Sequence, residues 1–214
     1  MIDLHTHTFL SDGALGPAEH IRRAEVAGYR ILGFADHADL ATMETILPQL
    51  QIAARRETAR GQMLVLAGIE LTHMRPEEIG EGAAKARDLG AAFVIVHGET
   101  LAEPVQQGTN RAAIEAGADI LAHPGLIAPE EVALAAERNV RLEISAKPGH
   151  CLGNGHVAKL AAEHGAQLIF GSDAHGPSQM PSRRFAESVC SGAGLDSEQI
   201  SQMFEYAEAW ARSL

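Results

Sequence analysis

The chain has 214 residues, 46% of them hydrophobic and only 4% aromatic, which excludes a disordered, collagen-like or coiled-coil protein and requires a mainly aliphatic core. Seventeen Lys and Arg against 28 Asp and Glu give a net charge of −11, which disfavours a membrane-surface binder or an extended nucleic-acid-binding surface. Two cysteines, Cys151 and Cys190, match no disulfide framework or cysteine zinc site and suit a reducing compartment.

Met1 leads straight into Ile2-Asp3-Leu4-His5, without a basic region, an apolar stretch and a cleavage site. No apolar run approaches membrane-spanning length, so the expected location is the cytoplasm. Short apolar β-type runs then recur: Ile2 to His5, Ile31 to Ala35, Leu64 to Ile69, Phe93 to Val96, Ile120 to Ala122, Val140 to Ile144 and Gln167 to Phe170. Near-continuous apolar strands that alternate with helical patterns mark a parallel sheet buried on both faces. Pro17, Pro76 and Pro129 suit first helical turns, and Gly28, Gly90 and Gly165 suit the residues just past helix ends. Apolar stripes run through Ile79, Ala83, Ala86 and Leu89, through Val157, Leu160, Ala161 and His164, and through Ile200, Met203, Phe204, Ala207 and Ala211. The final helix also carries Tyr206 and Trp210, which suit either a cap on the sheet or a second subunit. No linker or charge block interrupts the alternation, which predicts one domain over residues 1–214. Seven right-handed βα units close into a barrel more readily than they form an open doubly wound sheet.

Eleven histidines are the outstanding feature of the composition. His5 and His7 alternate along the first strand, so both imidazoles face one side. Each following polar residue sits where a strand ends: Asp36-His37, Glu70, His97, His123-Pro124 and Asp173-Ala174-His175, with Asp12 in the first loop. That end of a parallel barrel is where its sites are built. Six imidazoles and three carboxylates suit zinc, manganese or iron, whereas calcium prefers oxygen alone. Nine ligands exceed what one ion takes, and three ions with four, three and three ligands and one bridging carboxylate account for them. His20, His156 and His164 fall in helical patterns and read as ordinary structural histidines, while His73 and His150 fall in loops on the active face.

The series Asp3-Leu4-His5-Thr6-His7-Thr8, Ser11-Asp12-Gly13, Ala35-Asp36-His37, Gly68-Ile69-Glu70, His97, His123-Pro124 and Ser172-Asp173-Ala174-His175 resembles the motifs of the PHP (polymerase and histidinol phosphatase) family. The resemblance covers nearly the whole chain. It implies a distorted seven-stranded (β/α)7 TIM-like barrel that holds three divalent metal ions and hydrolyses phosphate esters. It also implies that His5, His7, Glu70 and Asp173 hold a first ion, that Glu70 bridges to a second held by His97 and His123, and that Asp12, His37 and His175 hold a third. None of the nine positions departs from the pattern. The appended polymerase or nuclease domains of some relatives are missing, so the chain looks like a free-standing version.

Three divalent ions, three carboxylates and up to two bridging hydroxides leave about +1 to +3 in the site, enough to attract a phosphate despite the acidic surface. The expected reaction is attack on phosphorus by a metal-bridging hydroxide, in line with the departing alkoxide. Within the nine, His5, His7, Glu70, Asp173, His97 and His123 are the catalytic set; Lys147 and Arg183 are candidates for binding substrate phosphate oxygens, and His150 for protonating the leaving group. Modest loops suit a small phosphorylated metabolite, of which histidinol phosphate is one example, or a nucleotide end acted on as a diester. A two-metal amidohydrolase or TatD-like nuclease would leave Asp12, His37 and His175 without a role. A non-catalytic metal-binding module would have no need of so complete a ligand set.

Overall fold

A computed structural model describes all 214 residues. All seven apolar runs form strands, and one of them is interrupted. The second gives β2 (Ile31–Phe34), after which a short β3 (His37–Ala38) follows beyond the expected run, and the third becomes β4 (Leu64–Ala67) and β5 (Ile69–Leu71). The others are β1 (Ile2–Thr6), β6 (Val94–His97), β7 (Ile120–Ala122), β8 (Arg141–Ser145) and β9 (Leu168–Gly171). Between and after them lie α1 (Pro17–Val26), α2 (Met43–Thr58), α3 (Pro76–Asp88), α4 (Thr109–Glu115), α5 (Pro129–Arg138), α6 (Asn154–His164), α7 (Arg183–Gly192) and α8 (Ser197–Ala211). Pro17, Pro76 and Pro129 each begin a helix, and Gly28, Gly90 and Gly165 take positive φ just past helix ends. No helix is long and apolar enough to cross a membrane.

Every strand pairing is parallel. The hydrogen-bond ladders make two sheets, ordered β1-β2-β4 and β3-β5-β6-β7-β8-β9, where the sequence predicts one closed ring. The breaks come at Asp36, whose side chain turns to the first loop, and at Gly68. A Cβ at Gly68 would collide with the Phe93 ring, and one at Gly33 would press on Leu4 and on that same ring. The two small residues thus make room for the one large aromatic that enters this part of the sheet interior. Emptying that space by Phe93→Ala would cost about 3–5 kcal/mol. Between β9 and β1 no ladder forms. A single bridge links Thr6 to Ala174, and the His7 N–H donates to Ala174 O at 2.9 Å.

Around this framework lies a cluster of 54 buried apolar residues whose only aromatics are Tyr29, Phe34, Phe93, Phe170 and Phe204. The predicted stripes of α3, α6 and α8 supply Ile79, Ala83, Ala86, Val157, Leu160, Ile200, Met203 and Phe204 to it. His164 is exposed, one residue beyond the apolar face of α6. Helix α8 packs on β9 and β1, and its Trp210 stacks on the Arg141 guanidinium at 3.6 Å, so its aromatics serve the sheet.

Candidate metal centre

Alternation along β1 carries His5 and His7 into one buried space, with ring centroids 5.1 Å apart. Asp3, two residues earlier on the same strand, accepts from the backbone N–H groups of His5 and Ser172, each at 3.2 Å, tying the strand to the segment that bears Asp173. Glu70, wholly buried on β5, stands at the middle. Its Oε1 lies 3.4 Å from His5 Nε2 and 3.7 Å from His123 Nε2, and its Oε2 lies 3.6 Å from His7 Nε2. Asp173 Oδ1 is 3.1 Å from His7 Nε2, and its Oδ2 is 3.9 Å from His123 Nε2. Two atoms bound at about 2.1 Å to one tetrahedral ion lie roughly 3.4 Å apart. These separations therefore suit atoms that share a cation.

Above this layer, Asp12 Oδ1 stands 3.1 Å from His175 Nε2 and 3.6 Å from His37 Nε2. Asp12 depends on Asp36, whose Oδ1 accepts from the N–H and hydroxyl of both Thr8 and Ser11 at 2.8–3.0 Å, and so fixes the loop between them. Gly13 completes that turn, because any side chain there would strike the His7 carbonyl.

All nine residues expected from sequence fall into groups whose ligand atoms lie within 4.8 Å of one another: His7, Asp12, His37 and His175; His5, His7 and Glu70; His5, His123 and Asp173; and His97 and His123 with His150. A further group joins His97 to His73 and Glu103. His5 Nε2, both ring nitrogens of His7 and His123, Glu70 Oε1 and Asp173 Oδ1 are buried without a hydrogen-bond partner, while Glu70 Oε2 meets His37 Nδ1 at 2.7 Å. Buried polar atoms left in this state are costly unless a ligand satisfies them, and imidazole with carboxylate is the donor set of a divalent transition metal. The residues fit such ions. Two of them, His123 and Asp173, have positive φ of 28° and 51°, conformations that cost about 1–3 kcal/mol and concentrate at functional sites.

The electrostatics are divided. Burial opposes charge on His5, yet the Glu143 and Glu70 carboxylates outweigh it and hold the imidazole pKa well above its usual value. Burial also resists ionisation of Glu70, but His5 and His37 prevail and hold it well below the carboxylate range. At His7 and His123 the Glu70 carboxylate favours charge too, but burial, with neighbouring imidazoles, outweighs it and pushes both well down into the neutral form that binds metal. Burial raises Asp173 to about 6.

Several participants escape the sequence pattern. Glu143 of β8 receives the His5 Nδ1–H at 2.5 Å and turns Nε2 toward Glu70. It needs Gly171 beside it, since a Cβ there would overlap its carboxylate. The signal was a charged residue flanked by Leu142 and Ile144 within a strand expected to be buried. Thr72 lies 2.6 Å from His37 Nδ1. Glu103 reaches in from the loop after β6, 3.2 Å from both His73 Nε2 and His97 Nε2, and nothing in its surroundings in sequence marks it.

Among the expected substrate-binding residues, Lys147 reaches the cluster, with Nζ 2.6 Å from His175 Nδ1 and 3.5 Å from Asp173 Oδ1. His150 is buried beside His123 with ring centroids 4.2 Å apart. Arg183 is elsewhere. It opens α7, pairs with Glu187 one turn on at 2.7 Å and stacks on Phe204 of α8, sharing no hydrogen bond or ion pair with the nine. Eleven residues of connection separate it from the end of β9, Gly171. Of the remaining histidines, His20 is buried against Phe34 and His156 bonds to Ile127 O at 2.8 Å.

No family model matches the chain. It is 41% identical over 201 residues to the uncharacterized protein MJ1295 of Methanocaldococcus jannaschii, an alignment covering 92% of each chain. It is 29% identical to a protein of Shewanella halifaxensis named "Probable phosphatase", over 94% of this chain and 87% of that one. Among solved structures, histidinol phosphate phosphatase of Lactococcus lactis, complexed with zinc, L-histidinol and phosphate, shares the fold at a TM-score of 0.65 and 16% identity, over 91% and 94% of the chains. A chain of an archaeal ribonuclease P bound to mature tRNA shares it at 0.72 and 18%, over 99% and 90%.

Proposed function

The chain belongs to one family with the uncharacterized protein MJ1295, and we propose that it is a PHP-type metal-dependent phosphoesterase that hydrolyses the monoester of a small phosphorylated metabolite. One observation carries the reading: ligand atoms from nine residues, most of them buried and several without any partner, face one another at distances suited to shared cations. The relative named as a phosphatase and the fold shared with a zinc-containing histidinol phosphate phosphatase support it. In this reading His5, His7, Glu70 and Asp173 hold one ion, Glu70 with His97 and His123 a second, and Asp12, His37 and His175 a third. Bound divalent ions supply activation of water and neutralisation of phosphate charge.

The protein's own groups do the rest. Glu143 fixes the tautomer and angle of His5 through Nδ1, which leaves Nε2 free to bind. Asp36 holds the loop of Asp12 in place. Lys147 brings an ammonium to the rim beside His175, where it pairs with phosphate oxygens that the ligands leave uncovered. The net charge of −11 works against a long nucleic-acid backbone and leaves a compact anion as the substrate that the local positive field selects. The test is hydrolysis of a panel of phosphomonoesters and phosphodiesters by the zinc- or manganese-loaded chain, with His97→Ala as control. Turnover of monoesters, with close to three metal equivalents bound, is the expected result. A count of two favours the amidohydrolase-type alternative, and inactivity on the whole panel by fully loaded protein rejects the reading.

A further inference from the structure

Some histidines of the cluster share a manner of attachment, unlike His7 and His123, whose ring nitrogens are all unpaired. His5 donates Nδ1–H to Glu143, His97 donates Nδ1–H to Gly98 O at 3.2 Å, and His37 has Nδ1 2.6 Å from the Thr72 hydroxyl. In His5 and His97 one nitrogen is fastened and the other faces inward, as metal-binding imidazoles are held, while His37 Nδ1 also lies 2.7 Å from Glu70 Oε2. His150 repeats the arrangement. Its Nδ1 lies 2.6 Å from Thr100 Oγ1, and its Nε2 points to the carboxylates, 3.7 Å from Asp173 Oδ2 and 3.5 Å from Glu103 Oε1. These separations are at or beyond the limit of a hydrogen bond and close to the spacing of two atoms on one ion. The ring is buried, parallel to His123 within 18° and perpendicular to His97, so the three imidazoles surround one point. It sits on the first turn after β8, and Gly149, with φ of 91°, supplies the bend that returns the chain inward.

We propose that His150 is a tenth metal ligand, joining His97 and His123 on the second ion, with Thr100 as its positioning residue. This rests on the metal-centre reading above, and it withdraws His150 from the role of leaving-group acid. With Glu70, the ion then has four protein ligands where the resemblance alone implies three. An ion so enclosed is held tightly and orients substrate, while the more open positions near Asp12 retain the exchangeable sites.

The experiment measures zinc bound per chain after dialysis, and stepwise zinc affinity by chelator competition, for the full chain and for His150→Ala, Thr100→Val and His97→Ala. Cobalt absorption spectra of the same proteins report coordination number, and circular dichroism reports folding. His150→Ala is expected to weaken one equivalent at least tenfold and to alter the cobalt spectrum, while the other equivalents bind as before. Thr100→Val leaves the ligand in place and is expected to weaken the same equivalent by a smaller factor, which tests the idea even where His150→Ala folds poorly. Wild-type zinc affinity and cobalt spectra in both variants, with an equivalent lost in His97→Ala, overturn this inference alone. Full metal retention in His97→Ala as well overturns it together with the metal-centre reading.

Discussion

The candidate centre has an inner and an outer part, built from the same residue types in different surroundings. In the inner part, His5, His7 and Glu70 have at most 1% exposure, and His5 Nε2, both His7 nitrogens and Glu70 Oε1 lack hydrogen-bond partners. In the outer part, the Asp12 side chain is 56% exposed, that of His37 24% and that of His175 16%. Desolvation makes each inner group dependent on its neighbours, because an unpaired charge or lone pair in that space has no water to turn to. Outer groups keep that recourse. Inner substitutions should therefore propagate, and outer ones should remain local.

The largest expected effect is that of Glu70→Gln, which takes charge from the point where His5, His7, His37 and His123 converge. Phosphoesterase turnover should fall by about 10³-fold or more, with loss of more than one metal equivalent. If only one equivalent were lost, the inner part would not be the unit described.

Below the inner part lies His20, fully buried on α1 with neither ring nitrogen paired, and burial lowers its pKa from 6.5 to about 4. The unfolded chain takes up a proton near 6.5 that the folded chain refuses until about 4, so this group costs stability as pH falls through that window. The loss reaches about 3 kcal/mol at the lower end, a factor of about 150 in the folding equilibrium. His20→Leu should flatten the acid limb of stability against pH by that amount, read from urea midpoints between pH 7 and 4.

Glu143→Gln retains size and removes the charge that aligns His5. It should lower metal affinity or turnover 10- to 100-fold while the fold persists. Asp12→Asn is the mildest of these changes: about a tenfold loss in affinity for one equivalent, the rest unaltered, by chelator competition. An effect of Asp12→Asn as broad as that of Glu70→Gln would erase the distinction between the two parts.

Much of this was legible in the chain because the fold repeats one pattern. Each strand is a short apolar run, and each polar residue that ends it lands on the same face of the sheet. On that ground eight of the nine residues could be placed on one face, with Asp12 added from the first loop, while their division among ions came from the resemblance. What stayed hidden depends on meetings between distant segments. Glu143 looks like an isolated defect in an apolar strand until His5, 138 residues earlier, lies against it. Glu103 lies in an exposed loop whose path no local preference determines, and Arg183 reads as a site residue until it is found opening α7 against Glu187 and Phe204. The fit of Phe93 over Gly33 and Gly68, one of them at an interruption between β4 and β5, is likewise a meeting that no periodicity reveals.

The seam between β9 and β1 joins architecture to chemistry. Backbone ties the two edges at Thr6 and Ala174, and close by His7 on one edge faces Asp173 on the other at 3.1 Å. The clasp of the molecule and the candidate metal centre thus share one short stretch of chain on each edge. A lesion that pries this pair apart should loosen the girdle of strands along with whatever it grips.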